Sequence, residues 1–187
     1  IKSLPPGDDA AASTQTYRDY KNDYRPKAIL IKFALDNIIS ASTVDDNPRD
    51  LFELLIHEVF HGLGISESLF QYWIEPDSNT QYIFLGKNPT HSCKFEGINH
   101  EFFYVSTKNI REFIKRKYGD DDFGITEEGE ICESGIELED DGGEGSKGKH
   151  PEMRVFPFEI MSASHAKNKK HSISELTLTL LNSSGYY

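Results

Sequence analysis

Apolar and polar positions along this chain follow two rhythms, separated by stretches with none. Ala28-Ile29-Leu30-Ile31-Lys32-Phe33-Ala34-Leu35 is a short apolar run of strand formers. It follows Arg25-Pro26, which disfavours helix, so a strand is predicted. Leu51, Leu54, Leu55, Val59 and Phe60 recur at helical spacing. Asn47 is a good N-cap before them, Pro48 suits the first helical position, Asp50 lies near the positive end of the helix dipole, and Gly62 and Gly64 are natural stops. A helix over about 48–62 is predicted. Ile110, Phe113, Ile114 and Tyr118 predict a scaffold helix over Asn109 to Tyr118, with Thr107 as N-cap and Gly119 as stop. Ser172-Ile173-Ser174-Glu175 has the form of a capping box and predicts a last helix to about Ser184, ended by Gly185. The alternation in Leu176-Thr177-Leu178-Thr179-Leu180 leaves a strand open there.

Shorter signals predict a helix at Ser66 to Tyr72, a turn at Pro76-Asp77-Ser78-Asn79, a strand at Tyr82 to Leu85 and an aromatic strand at Glu101 to Val105. Two stretches carry no period. Ile1 to Asp23, with Pro5-Pro6-Gly7 and a small polar run from Asp8 to Thr16, reads as linker or tail. Asp120 to Lys149 is loaded with Gly, Asp and Glu and reads as a long surface excursion.

The helix over 48–62 contains His57-Glu58-Val59-Phe60-His61. Residues four apart share one helix face, with Cβ atoms about 5–6 Å apart, so His57 and His61 can reach one metal ion. Glu58, beside the first, is placed to take a proton from a water acidified by Zn2+ and to return it to a leaving amine. The pattern is that of a zinc hydrolase helix; its bland counterpart is a core helix with two satisfied histidines. A catalytic zinc takes a third protein ligand and keeps one open position. A third His six residues past His61 would fall at position 67, which is Glu67, so the ligand comes from elsewhere. His91, His100, Glu96 and Glu101 are candidates by residue type alone.

A more specific candidate lies far downstream. Gly135 to Lys149 is rich in Gly and acid, His150 follows, Glu152 stands two residues on, and Met161 follows His150 by eleven residues in Pro157-Phe158-Glu159-Ile160-Met161. With His57-Glu58-x-x-His61-x-x-Gly64, Phe70 to Trp73, the helix near Thr107 to Tyr118 and the closing Leu180-Leu181-Asn182-Ser183-Ser184-Gly185-Tyr186-Tyr187, this resembles the leishmanolysin family of zinc metalloproteases. The resemblance spans most of residues 50–187. It implies His57, His61 and His150 as ligands of one Zn2+, Glu58 as general base and acid, and Met161 in a Met-turn beneath the metal. Glu152 and Glu159 are candidates to orient the ligands. Pro151 stands where relatives usually have an aromatic residue. The implied fold is α+β and metzincin-like, with a mixed sheet and an active-site helix above a cleft. Residues 1–64 would form the upper lobe and 65–187 a mainly helical or irregular lower lobe, as one catalytic domain. For an ectodomain of this kind a Cys93–Cys132 bridge is expected, against two free thiols.

Composition narrows the reading. With 187 residues the chain is one domain's worth of sequence, and no apolar run approaches the roughly 20 residues of a membrane helix. A net charge of −11 argues against nucleic acid as partner. Nine of the acidic residues fall between Glu127 and Glu144, which reads as a solvated loop and secondarily as an attractor for basic substrates. The expected partners are protein or peptide substrates. The resemblance also implies an extracellular or cell-surface setting and a catalytic-core piece, with signal, pro-segment and any membrane anchor in parts not present. The rival class is a non-catalytic, zinc-stabilised adhesion or binding domain on the same scaffold.

Overall fold

A computed structural model describes residues 12–21, 24–34, 48–94, 100–119, 122–126, 129–140, 146–163 and 170–187, with backbone alone for 48–50. The chain divides into two compact units, Ile1–Gly64 and Ile65–Tyr187.

In the first unit, β1 (Ala12–Arg18) runs antiparallel to β2 (Pro26–Phe33), with Thr14 opposite Ile31 and Thr16 opposite Ile29. Cross-strand partners and residues two apart project to one side, so Thr14, Thr16, Ile29 and Ile31 form one face. Part of the stretch read as a tail is therefore a strand. Its face is built from threonine, which favours strands without adding hydropathy. Helix α1 (Pro48–Leu63) packs on both strands. The expected cap Asn47 lies outside the described residues.

Gly62 does not stop this helix. The chain continues to Leu63 and turns at Gly64, whose φ of 132° suits glycine. What position 62 requires is closeness, because a Cβ there would lie 2.2 Å from Ile29 Cγ2 and 2.9 Å from Ile29 Cβ. Gly→Ala inside a helix ordinarily gains up to about 1 kcal/mol, whereas overpacking costs about 1–3 kcal/mol. Gly62→Ala is expected to be destabilising on balance, lowering the thermal midpoint by a few degrees; an unchanged or raised midpoint would show that β2 gives way freely. Contrary to the expected burial of this helix's apolar residues, Leu51 and Leu55 are exposed with Phe52, at 49%, 40% and 60%, while Phe60 is buried. The contacts with Thr14 and Ile29 fall instead on the last turns.

The second unit begins with α2 (Glu67–Phe70) and a hairpin of β3 (Ile74–Glu75) and β4 (Thr80–Gln81), turning through 76–79 as expected. Tyr82–Leu85, expected as a strand, is a 3-10 turn closed by Gly86, whose N–H bonds to the carbonyls of Ile83 and Tyr82. Tyr82 is buried there while its neighbours Ile83 and Phe84 are exposed, which is not strand alternation. Strand β5 (Thr90–Lys94) pairs with β6 (Glu101–Val105), which pairs in turn with β9 (Ile136–Glu137). Between them β7 (Asp122–Ile125) and β8 (Ile131–Glu133) form a hairpin, and a Cys93–Cys132 disulfide ties it to β5. The stretch 120–149 is thus partly ordered sheet rather than excursion. Strands of two to four residues are too short to display a period.

Helix α3 (Lys108–Tyr118) is capped by Thr107, which accepts from the Ile110 N–H, and ends at Gly119 in a left-handed conformation. Helix α4 (Glu175–Ser183) decides the ambiguity at Leu176 to Leu180 in favour of helix. Its cap is Ser174, accepting from the Leu176 N–H, two residues later than the expected Ser172. α3 packs on α4, where Arg116 and Lys117 hold the Glu175 carboxyl down to about 2. Trp73, Phe70, Ile65, Ile110, Val105, Ile136, Met161 and Leu180 are fully buried in this unit. Among the described residues the strands make four small antiparallel sheets in place of one mixed sheet, and the second unit is richer in strand than expected. Among them, too, no helix is long and apolar enough to cross a membrane.

Candidate active site

Two adjacent faces of α1 carry the candidate chemistry. His57 and His61 lie one turn apart with ring centroids 4.6 Å apart and planes at 85°, and one ring nitrogen of each is within 4.8 Å of the other. His57 is buried and His61 half-buried. Neutral imidazoles one turn apart suit a tetrahedral nitrogen site of the kind zinc prefers. About 100° round the helix, Glu58 and Gly62 face the β1–β2 sheet. Glu58 is buried, and the Thr14 hydroxyl lies 2.7 Å from its Oε2 and 2.9 Å from its backbone carbonyl. Burial pushes the Glu58 carboxyl above the usual carboxylate range, and the bond from Thr14 offsets part of that rise.

In the second unit, backbone pairing delivers His150. The Glu139 N–H donates to the His150 carbonyl at 2.8 Å, the Glu152 N–H to the Glu137 carbonyl at 2.9 Å, and the Gly148 N–H to the Glu139 carbonyl at 2.7 Å. Leu138 and Pro151 are bridged between them. The His150 segment is thereby an added rung on β9. His150 is buried, with Nδ1 3.1 Å from the Ser146 carbonyl. A carbonyl only accepts, so this contact places the proton on Nδ1 and leaves the lone pair on Nε2. Ser146 is a partner no sequence signal singles out. Glu152 is also buried; its Oε1 accepts from the Arg154 N–H at 2.9 Å, and its carboxylate lies within 4.8 Å of those of Glu139 and Asp140. Glu139 is buried rather than part of a solvated run.

Met161 is fully buried. Glu159, two residues earlier, accepts from Ser174 Oγ at 2.5 Å and from Thr177 Oγ1 at 2.8 Å, so its carboxylate ties this turn to the start of α4. His171 is buried. Its neighbour Ser172 pairs with the turn, donating from N–H to the Phe158 carbonyl and accepting from the Ile160 N–H. Glu96 lies outside the described residues. The other rival ligands are engaged elsewhere or face solvent: His91 stacks on Tyr104, His100 Nε2 is 2.5 Å from Asp140 Oδ2, and Glu101 is exposed.

Comparison with known proteins agrees in one direction. The leishmanolysin family model matches residues 16–187. A leishmanolysin-like peptidase of Caenorhabditis briggsae is 28% identical over 174 residues, covering 79% of this chain and 24% of that protein. One of Drosophila pseudoobscura pseudoobscura is 25% identical over 168 residues, covering 79% and 23%. One of Drosophila melanogaster is 28% identical over 162 residues, again covering 79% and 23%. The chain spans about a quarter of the length of these curated relatives. The family match takes in α1, the His150 segment and the Met161 turn alike, and the chain belongs to the leishmanolysin family of metallopeptidases.

Proposed function

We propose that the protein is a zinc-dependent metalloendopeptidase acting on protein substrates, in which His57, His61 and His150 hold one Zn2+ and Glu58 is general base and acid. The observation that carries this reading is the pair of histidines one turn apart with a buried carboxylate beside them. When bound, zinc supplies Lewis-acid polarisation of the scissile carbonyl and lowers the pKa of a water. With zinc held there, Glu58 would take a proton from the attacking water and pass it to the leaving amine. Burial raises its affinity for the proton, which is the direction a base working near neutrality needs. The Nδ1–H of His150 donates to the Ser146 carbonyl, which leaves the Nε2 lone pair for the metal. Met161 is assigned the apolar floor of the Met-turn by family likeness. An extracellular or cell-surface setting is supported by the Cys93–Cys132 disulfide, since such bridges persist in oxidising compartments.

Metal removal tests the reading directly. Full-length protein stripped with a chelator is expected to lose peptide cleavage, and added Zn2+ to restore it. Cleavage that survives complete removal of metal would overturn the proposal.

A further inference from the structure

We propose that Thr14 is a positioning residue for Glu58, holding the base's carboxylate at a fixed place beside the two α1 histidines. The inference rests on the reading of Glu58 as the base. Thr14 lies on β1, in a stretch with no motif, and in sequence it is 44 residues from Glu58. The strand register carries it there: Thr14, Thr16, Ile29 and Ile31 form the sheet face, and Ile29 meets Gly62 while Thr14 meets Glu58. Glu58 and Gly62 are one turn apart, so the two contacts fix both the rotation of α1 against the sheet and the height of Glu58 along it.

A threonine hydroxyl has one proton to give. Two acceptors are within reach, Glu58 Oε2 at 2.7 Å and the Glu58 backbone carbonyl at 2.9 Å. The carboxylate is charged and nearer, so the bond to it is the stronger. With one oxygen tied to Thr14, rotation of the Glu58 side chain is restricted and the other oxygen is left to work on the substrate water. A buried base that is free to turn would spend much of its time misaligned, and misplacement of this kind lowers turnover more than substrate binding.

The alternative is that Thr14 merely fastens β1 to α1 through the backbone carbonyl. The two roles separate kinetically. In full-length, zinc-loaded protein, Thr14→Val removes the hydroxyl at nearly constant shape, and it is expected to lower kcat by about 10-fold or more with KM nearly unchanged. Zinc is expected to stay at one per chain by elemental analysis. Thr14→Ser keeps the hydroxyl and is expected to restore most of kcat. Val turnover within twofold of wild type, or a Ser variant as slow as Val, would overturn the proposal. If Val does not fold, Ser is compared with Thr14→Ala in folded, zinc-loaded samples, and equal turnover in the two overturns it equally. Glu58→Gln is run beside them: full activity in that variant would reject the base assignment itself, separately from any result at Thr14.

Discussion

Glu58→Gln is expected to lower kcat/KM on a peptide substrate by about 100- to 10,000-fold, the range over which a general base contributes, while zinc stays bound at one per chain. The amide is close in size to the carboxylate, and its oxygen still accepts from the Thr14 hydroxyl, so the packing of α1 on β1 is retained. It cannot take a proton from water. Removing a buried charge also relieves a desolvation penalty, so the thermal midpoint is expected to hold or rise. Side-by-side kinetics, elemental analysis and a thermal melt make the reading. Unchanged cleavage would end Glu58's role, and a wild-type protein that holds zinc but cleaves nothing would favour the adhesion or binding class.

His150→Ala is expected to lose zinc. The backbone rungs that hold this segment, Glu139 to His150 and Glu152 to Glu137, do not involve the imidazole, so the variant keeps the local pairing that a failed fold would destroy. Losing a residue hydrogen-bonded to a zinc ligand typically costs about 10–100-fold in affinity or activity, and losing a ligand is expected to cost more. Elemental analysis of wild type beside the variant after dialysis gives the answer. Zinc undiminished in the variant would remove His150 from the set and return attention to His91, His100 and Glu101, with Glu96.

What sequence makes legible here divides by the range of the signal. α1 and α3 announce themselves because their apolar positions recur at helical spacing, whereas α4, whose Leu176 to Leu180 alternate like a strand, is legible through its local capping residues. His57, Glu58 and His61 are legible for the same reason, since one helix fixes their spacing. His150 and Met161 carry no periodic signal and stand out only through family resemblance. Thr14 and Ser146 are invisible to both approaches. Thr14 acts through strand register and Ser146 through a main-chain carbonyl that any residue could supply. The short strands β3, β4, β7, β8 and β9 escape because two to four residues cannot display alternation, and the burial of Glu139 escapes because backbone pairing, not hydropathy, draws it in. Glu159 shows the converse: its place in the Met161 turn suggests service to the metal ligands, yet its two oxygens are taken by Ser174 and Thr177.

The pairing of Glu137–Glu139 with Gly148–Glu152 has an evolutionary corollary. Glu137–Glu139 and Gly148–Glu152 are stapled to each other through main-chain atoms, so these two flanks hold one another independently of the sequence that joins them. Doubling the length of a connection costs in general only about 0.6 kcal/mol of closure entropy, which is small beside the pairing at the staple. Insertions of widely different size can therefore accumulate between Asp140 and Ser146 without shifting His150, which frees that segment to diverge between lineages while the histidine beside it stays in register.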